Sequence, residues 1–317
     1  MRRDSNHVAC LGECMIELRE RPDGLLARGF GGDTLNTAVY LARLGVAVEY
    51  VTALGDDPHS DEMLASWKTE GVGTRHVARV PDAVPGLYLI QTDARGERRF
   101  SYWRDSAPVR RLFELPETPL IKAALARAGI LYLSGITLSL FRPPEAREQL
   151  FGALEAARAA GARIVFDSNF RPRGWPDPEE ARRAFHRAMA LSHTVLAGVE
   201  DFALLEGETT PEALVVRLRE AGLQEAVVKR AEPGCIVLCG DRQTDVPPPE
   251  AVKPVDTTAA GDSFAAAYLA ARLAGKPPEA AALAGHRLAG VVIRYPGAII
   301  PRDAMAPGII DSPSEVS

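Results

Sequence analysis

Short apolar runs rich in β-branched residues alternate with longer runs of helical periodicity along most of the chain. The predicted strands are 8–11, 48–53, 130–134, 163–167, 194–197, 225–229 and 235–239, with a further β-prone stretch at 246–255. The predicted helices are 34–44, 58–70, 144–160, 178–191, 211–221, 263–274 and 278–294. Apolar strands separated by helices are typical of a mostly parallel sheet that is covered on both faces. The sequence therefore predicts an α/β fold with three layers.

Two regions, 15–30 and 85–104, depart from this alternation. They alternate apolar with polar residues, as at Leu87 and Leu89, and turn residues at 93–96 divide the second region. A period of two indicates hairpin strands, so we expect a small β-sheet lid, from about 13–32 and 84–105, outside the main sheet. Such a lid over an α/β domain would keep water from a reacting group. One domain is predicted over 1–305, followed by a mobile tail at 306–317.

Composition and charge exclude several classes of protein. A chain of 317 residues with 46% hydrophobic residues and net charge −5 is typical of a soluble globular protein, and it has no basic block of the nucleic-acid-binding kind. The apolar run 8–11 is too short for a signal peptide or a membrane span. The four cysteines form two C-x-x-x-C pairs, which in extended chain span about 13 Å, too far for a disulfide or a shared metal ion. We expect a cytoplasmic protein with no nucleic-acid or membrane partner.

The most informative segment reads Asp-Thr-Thr-Ala-Ala-Gly-Asp over 256–262 and leads into the predicted helix 263–274. Its small residues leave backbone N–H groups unobstructed, and a helix N-terminus binds anions through such donors and its dipole. A site that only binds an anion would not be expected to contain a carboxylate such as Asp262. Asp262 could instead accept a proton from a hydroxyl that attacks a phosphate. The segment indicates phosphoryl transfer to an alcohol, with a capped helix start as the structural alternative.

A second helix start reads Gly-Gly-Asp-Thr-Leu-Asn over 31–36. Paired glycines allow close backbone approach, and Asp33 and Asn36 could then face a hydroxylated ligand, although an ordinary loop with an N-cap is the alternative. Neither G-x-x-x-x-G-K-[ST] nor G-x-G-x-x-G occurs in the chain. Any ATP site would therefore lack a P-loop, and a dinucleotide-dependent oxidoreductase is not supported.

Together the two segments resemble the signature regions of the ribokinase-like (PfkB) carbohydrate kinases. Further segments are similar to those of a subgroup that acts on the sugar acid 2-keto-3-deoxygluconate, and they lie at 12–18, 85–88, 96–104, 133–136, 167–173 and 297–302. The resemblance implies a ribokinase-like sandwich with a lid, which uses ATP and Mg²⁺ to phosphorylate the terminal hydroxyl of 2-keto-3-deoxy-D-gluconate. A kinase for a neutral sugar (ribose, fructose or tagatose phosphate) and a non-catalytic sugar-acid or nucleotide sensor remain alternatives. Exposed lid edges also favour a homo-oligomer.

The resemblance assigns roles to individual residues but no metal ligand. Asp262 matches the general base, beside an anion hole of backbone N–H groups at Ala259, Ala260 and Gly261. The residues matching sugar contacts are Gly32, Asp33, Asn36, Tyr88, Tyr102, Arg104 and Arg171. Those on the nucleotide side are Asn169, Arg171, Lys229, Gly234, Ala259, Gly261 and His286. Because guanidinium groups suit carboxylates, the two arginines favour a sugar acid. Cross-strand packing of the tyrosines, surface salt bridges of the arginines and helix packing of His286 are the structural alternatives.

Three departures from the family pattern bear on the site. Ala259 replaces a glycine, which is tolerable unless that position needs a positive φ. Ala231 and Pro233 replace residues of the usual nucleotide loop, so the contacts with ATP there are open. Residues 198–201 stand where relatives have Asn-x-x-Glu, which the resemblance associates with the magnesium–phosphate network. We expect Glu200 and Asp201 to be solvated carboxylates at a helix start, and a contact of one of them with metal-bound water is the alternative.

Overall fold

A computed structural model describes residues 6–21, 23–92, 98–207, 209–230, 232–305 and 307–311 of the chain. The predicted turn at 93–96, Ala231 and most of the predicted tail lie outside the described residues.

A large sheet forms the middle layer of the molecule. In spatial order its strands are β13 (Arg242–Val246), β12 (Cys235–Cys239), β11 (Glu225–Lys229), β10 (Thr194–Gly198), β9 (Arg163–Asp167), β8 (Ile130–Ser134), β1 (Val8–Leu11), β4 (Val48–Gly55) and β5 (Val77–Val80). From β5 to β11 all neighbours are parallel, whereas β12 runs antiparallel to both β11 and β13. The predicted mostly parallel sheet is confirmed.

Helices cover both faces of this sheet, as predicted. They are α1 (Asp33–Arg43), α2 (Pro58–Thr69), α3 (Thr118–Arg127), α4 (Gly135–Leu140), α5 (Pro144–Ala159), α6 (Pro178–Leu191), α7 (Val199–Glu206), α8 (Pro211–Glu220), α9 (Ala260–Leu273) and α10 (Pro278–Val292). Apolar residues of α1, α2, α9 and α10 pack on one face, and those of α3, α5, α6 and α8 pack on the other. No described helix is long and apolar enough to cross a membrane.

Residues from the two irregular regions form a second sheet, as expected. Its strands β2 (Met15–Glu20), β3 (Leu26–Gly31), β6 (Leu87–Thr92) and β7 (Arg98–Trp103) lie in the order β3-β2-β6-β7. Two antiparallel hairpins, β2 with β3 and β6 with β7, join through parallel pairing of β2 with β6. We call this sheet the lid.

The sequence prediction missed several elements. Strands β5 and β13 and helices α3, α4 and α7 were not predicted, and the predicted strand at 246–255 was wrong. Strand β13 ends at Val246, and the residues that follow adopt neither helix nor strand. Three consecutive prolines begin at Pro247 and cannot donate to a sheet ladder, which explains the end of the strand.

The topology brings distant parts of the chain to one edge of the main sheet. Strands β1, β8, β9, β10 and β11 are parallel, so their carboxyl ends meet at the same edge. Helix α1 packs against α9, and the starts of both helices lie near that edge. Ligand sites of open α/β sheets lie in the crevice outside the carboxyl ends of the strands.

Candidate active site

The turn before α9 is held by a buried aspartate. One carboxylate oxygen of Asp256 accepts the N–H of Thr258 at 2.8 Å, and the other accepts the N–H of Gly297 at 2.9 Å. Asp256 is 8% exposed. The carboxylate therefore fixes the turn to the segment that follows α10.

The turn ends in a left-handed residue from which the helix starts. Ala259 has φ 61° and ψ 16°, and α9 begins at Ala260, whose N–H donates to the Thr257 carbonyl at 3.2 Å. The Ala260 N–H, a predicted anion-hole donor, is therefore already used within the turn. The N–H groups of Gly261, also predicted, and of Asp262, which was not, belong to the first turn, where no carbonyl within the helix can accept them. Those donors and the helix dipole make this end of α9 suited to an anion.

Asp262 lies at the junction of α9 and α1. Asn36 Nδ2 donates to Asp262 Oδ2 at 2.8 Å, and the Thr37 hydroxyl lies 3.2 Å from the Asp262 carbonyl oxygen. Burial raises the pKa of Asp262 well above its usual range, and the Asp33 carboxylate raises it further, against the opposing effects of the Asn36 hydrogen bond and Lys229. A carboxyl group with a raised pKa is suited to accepting a proton near neutral pH.

Asp33 connects α1 to the loops after β8 and β9. Its Oδ2 accepts hydrogen bonds from the Ser134 hydroxyl at 2.5 Å and from Asn169 Nδ2 at 2.7 Å. Asn169 has φ 24°, a backbone conformation that non-glycine residues seldom adopt. The structure therefore brings four predicted residues to the start of α1 in two hydrogen-bonded pairs, Asp33 with Asn169 and Asn36 with Asp262.

Lys229, at the end of β11, points its ammonium group toward the anion-binding turn. Nζ donates to Asp167 Oδ1 at 2.8 Å and to Oδ2 at 3.0 Å, and a Cβ added at Gly261 would lie 3.7 Å from it. Burial lowers the pKa of Lys229, but Asp167 and Asp201 outweigh this and raise it overall. Lys229 therefore remains cationic beside the start of α9.

Asp201 is not the solvated carboxylate that the sequence predicted. It accepts the Ser168 hydroxyl at 2.6 Å and the Phe170 N–H at 3.0 Å, while Glu200 beside it is exposed. The prediction failed because these partners lie more than 30 positions away in the chain. Asp201 thus holds the segment that carries Asn169.

The predicted sugar-contact tyrosines lie side by side on neighbouring strands of the lid. Tyr88 and Tyr102 are register partners on β6 and β7, with ring centroids 6.0 Å apart. Tyr88 is buried and donates to Glu17 at 2.5 Å, whereas Tyr102 is 43% exposed. A Cβ added at Gly31 would lie 2.1 Å from the Tyr88 hydroxyl, so only glycine fits there. Cross-strand packing is present, and a role in sugar binding stays a prediction.

The two predicted carboxylate-binding arginines have different surroundings. Arg104 lies near the lid base, with Cζ 5.9 Å from the Tyr102 ring centroid, and pairs with Glu13. Arg171 is 58% exposed, lies 3.5 Å from Asp201 and donates to the Phe170 carbonyl at 2.8 Å.

Glu13 pairs with the predicted site residue Arg104 but was not itself predicted. It follows β1, is 3% exposed, and its backbone carbonyl oxygen would lie 2.0 Å from a Cβ at Gly32. A buried carboxylate after a parallel strand was the signal that could have found it.

The remaining nucleotide-side predictions lie near β12. Gly234 has φ 126°, just before β12. His286 Nε2 lies 3.1 Å from the Val246 carbonyl oxygen and 3.4 Å from Cys235 Sγ, and its ring contacts Phe264 edge-on. Burial lowers the pKa of His286. The histidine is packed between α10 and the sheet, and its contact with a nucleotide stays a prediction.

Comparison with known proteins identifies the family. A family model described as "pfkB family carbohydrate kinase" matches residues 5–305. The chain belongs to the PfkB family.

Relatives of this PfkB protein extend over nearly its full length. It is 45% identical over 310 residues to a "2-dehydro-3-deoxygluconokinase" from Dickeya dadantii, covering 95% of this chain and 99% of the relative. A structure of a putative ribokinase II from E. coli in complex with ATP and Mg²⁺ has a TM-score of 0.80 at 23% identity, covering 92% and 94% of the two chains. A 2-dehydro-3-deoxygluconokinase from Thermotoga maritima has a TM-score of 0.78 at 22% identity, covering 93% and 95%. The two structures confirm the predicted ribokinase-like fold.

The left-handed conformation of Ala259 leads to a stability prediction. Ala259→Gly should raise the free energy of unfolding by up to about 1 kcal/mol, because glycine adopts a positive φ without the strain that a Cβ imposes. Ala260→Gly, one residue later, should lower it by roughly 0.5–1 kcal/mol because that residue is helical. Urea unfolding of both variants is the measurement, and equal destabilisation by both would contradict the assignment of strain to Ala259.

Proposed function

We propose that this PfkB protein transfers the γ-phosphoryl group of ATP to the terminal hydroxyl of 2-keto-3-deoxy-D-gluconate, giving 2-keto-3-deoxy-6-phosphogluconate. The observation that carries the proposal is Asp262, a half-buried carboxylate with a raised pKa beside the free N–H groups at the start of α9. A pure anion-binding site has no use for a carboxylate at that position. The 45% identical relative from Dickeya dadantii, named 2-dehydro-3-deoxygluconokinase, supports the choice of substrate.

Asp262 would act as the general base. It would accept the proton of the terminal hydroxyl as that oxygen bonds to the γ-phosphorus and the bond to the β-phosphate oxygen breaks. Asn36 holds the accepting carboxylate through a 2.8 Å hydrogen bond. General base catalysis of this kind contributes about 10²–10⁴ in rate.

The residues present fit the phosphate end of ATP. The N–H groups of Gly261 and Asp262 and the ammonium of Lys229 converge on the start of α9, and Gly261 leaves space that a side chain would fill. These donors would stabilise negative charge on the transferring group. Mg²⁺ bound to the nucleotide would supply further neutralisation of the phosphates.

The sugar would bind between the lid and the main sheet. Asp33 and Asn36 would hydrogen-bond to its hydroxyls, and Arg104 with Arg171 would bind its carboxylate. Tyr88 and Tyr102 would pack against the carbon chain. Binding of the acid end at the arginines would place the far hydroxyl near Asp262.

The role of Asp262 predicts the behaviour of one variant. Asp262→Asn should lower kcat by roughly 10²–10⁴ because the amide cannot accept the proton. The measurement is ATP consumption with Mg²⁺ and 2-keto-3-deoxygluconate, ribose or fructose offered separately. Binding of the sugar acid to the variant, measured by calorimetry, controls for folding.

Each outcome of that assay separates the candidate functions. Turnover of the sugar acid alone, lost in Asp262→Asn, supports the proposal. Turnover of a neutral sugar only would keep the kinase but reject the acid-binding role of Arg104 and Arg171. Binding of the sugar acid without any turnover would favour the non-catalytic sensor.

The raised pKa of Asp262 predicts the pH dependence of kcat/KM. The base must be deprotonated, so activity should fall with decreasing pH at a higher midpoint than the roughly pH 4 of an ordinary carboxyl group. Asp33→Asn should move this midpoint down, because a negative neighbour is removed. Asn36→Leu should move it up, because a hydrogen bond to the ionised form is lost. The titration of ATP itself is the same in all three proteins and cannot cause a difference between their midpoints. A shift of the midpoint in the same direction in both variants would refute the assignment to Asp262.

Oligomerisation through the lid is a second part of the proposal. Leu26 on the edge strand β3 is 51% exposed, and Trp103 on the opposite edge strand β7 is 60% exposed. Exposed apolar edge strands pair readily with another chain. We expect the double variant with Trp103→Lys and Leu26→Lys to be a monomer, so that its molar mass in multi-angle light scattering falls below that of the wild-type oligomer. The exposed Leu204→Lys on α7, outside the lid, is the control and should leave the mass unchanged; a wild-type monomer would contradict the proposal.

A further inference from the structure

Glu13 is a buried carboxylate at the base of the lid with incomplete hydrogen bonding. One of its oxygens, Oε2, accepts a hydrogen bond from Arg104 Nη2. The other, Oε1, is buried and has no hydrogen-bond partner among the described residues, and the same holds for Arg104 Nε. Buried polar atoms are usually satisfied in folded proteins. Spare hydrogen-bonding capacity at a buried ion pair points to a role beyond stabilising the fold.

A second arginine, Arg110, lies beside the pair. Arg110 Nε donates to the Arg104 carbonyl at 2.8 Å, and its Nη1 donates to the Leu140 carbonyl at 3.1 Å. Burial lowers the pKa of Arg110, and the charge of Glu13 opposes that effect. Burial raises the pKa of Glu13, the charges of Arg104 and Arg110 oppose that rise, and the Asp33 carboxylate adds to it, so charges of both signs surround the pair.

The surroundings of the pair fix the direction of the Arg104 side chain. A Cβ added at Gly86 would lie 2.9 Å from Arg104 Cβ and 3.0 Å from Glu13 Oε1, so the chain leaves space there for the pair. The Tyr102 ring lies against the guanidinium, 5.9 Å from Cζ. Glu13 and Tyr102 together leave the guanidinium little freedom to rotate.

We propose that Glu13 is a positioning residue for Arg104. It holds the guanidinium at the pocket so that the remaining N–H donors meet the carboxylate of the substrate. The positioned guanidinium favours a sugar acid over a neutral sugar because its N–H donors suit a carboxylate. This inference rests on the proposed function, because it takes the sugar acid as the ligand of Arg104.

A double-mutant cycle tests whether Glu13 acts through Arg104. The affinity for 2-keto-3-deoxygluconate is measured by titration calorimetry without nucleotide for wild type, Glu13→Gln, Arg104→Met and the double variant. Glu13→Gln should weaken binding roughly tenfold, as expected when a hydrogen bond between charged groups is lost. In the Arg104→Met background the same change should alter affinity by less than about twofold, because the residue being positioned is absent.

Matched variants separate positioning from a structural effect. Glu62→Gln removes another carboxylate that binds a lid arginine, Arg28, but at the surface, and it should leave the affinity unchanged. Glu13→Asp keeps the charge and should restore part of the affinity. The affinity for ATP should be the same in all of these proteins, and it reports whether each is folded.

The outcomes distinguish this inference from the proposed function. Equal losses from Glu13→Gln in both backgrounds, or a parallel loss of ATP affinity, would show that Glu13 does not act through Arg104. If wild type binds the sugar acid but does not phosphorylate it, the proposed function fails and the cycle still decides the role of Glu13. If wild type does not bind the sugar acid, the positioning role is rejected.

Discussion

The hydrogen bond between Asn36 and Asp262 joins two helix starts that are 226 positions apart in the chain. Asn36 is buried and Asp262 is half-buried, so the amide fixes the direction of a carboxylate whose charge is poorly solvated. Around this bond the loops after β8 and β9 meet α1 through Asp33. The parallel sheet makes this possible, because its strands end together at one edge.

The electrostatics of the site follow from charges of both signs held at short range. Lys229 and the start of α9 attract a phosphate, while Asp262, Asp33 and Asp167 keep carboxylates beside it. Desolvation of the carboxylates is costly, and each is offset by a cation or by amide and hydroxyl donors. The resulting site can bind a phosphate and still accept a proton from a hydroxyl beside that phosphate. Phosphoryl transfer to an alcohol requires both.

Local sequence predicted those features of the structure that depend on residues close together in the chain. Apolar periodicity located most strands and helices because burial on a sheet imposes that pattern, and small residues at 259–261 indicated the exposed N–H groups of α9. Contacts between residues that are distant in the chain could not be predicted from local sequence. Asp201 was predicted to be a solvated carboxylate at a helix start but is bound to Ser168, and the pairing of Glu13 with Arg104 was not predicted at all. The partners in both contacts are far apart in the chain, so no local sequence pattern marks either contact. For the same reason, the roles predicted for Arg104 and Arg171 depended on the family resemblance.

The connectivity of the lid has a mechanical consequence. The lid sheet arises from two separate excursions of the chain, so four covalent crossings tether it to the core, and the parallel pairing of β2 with β6 fuses the two excursions. Glu13 lies in one of these crossings and Gly32 in another, and their backbones are in close contact. Because strand pairing links all four strands, the lid is constrained to move relative to the core as one unit. Gly32 is one of the residues proposed to contact the sugar, so any displacement of the lid would also displace that proposed site.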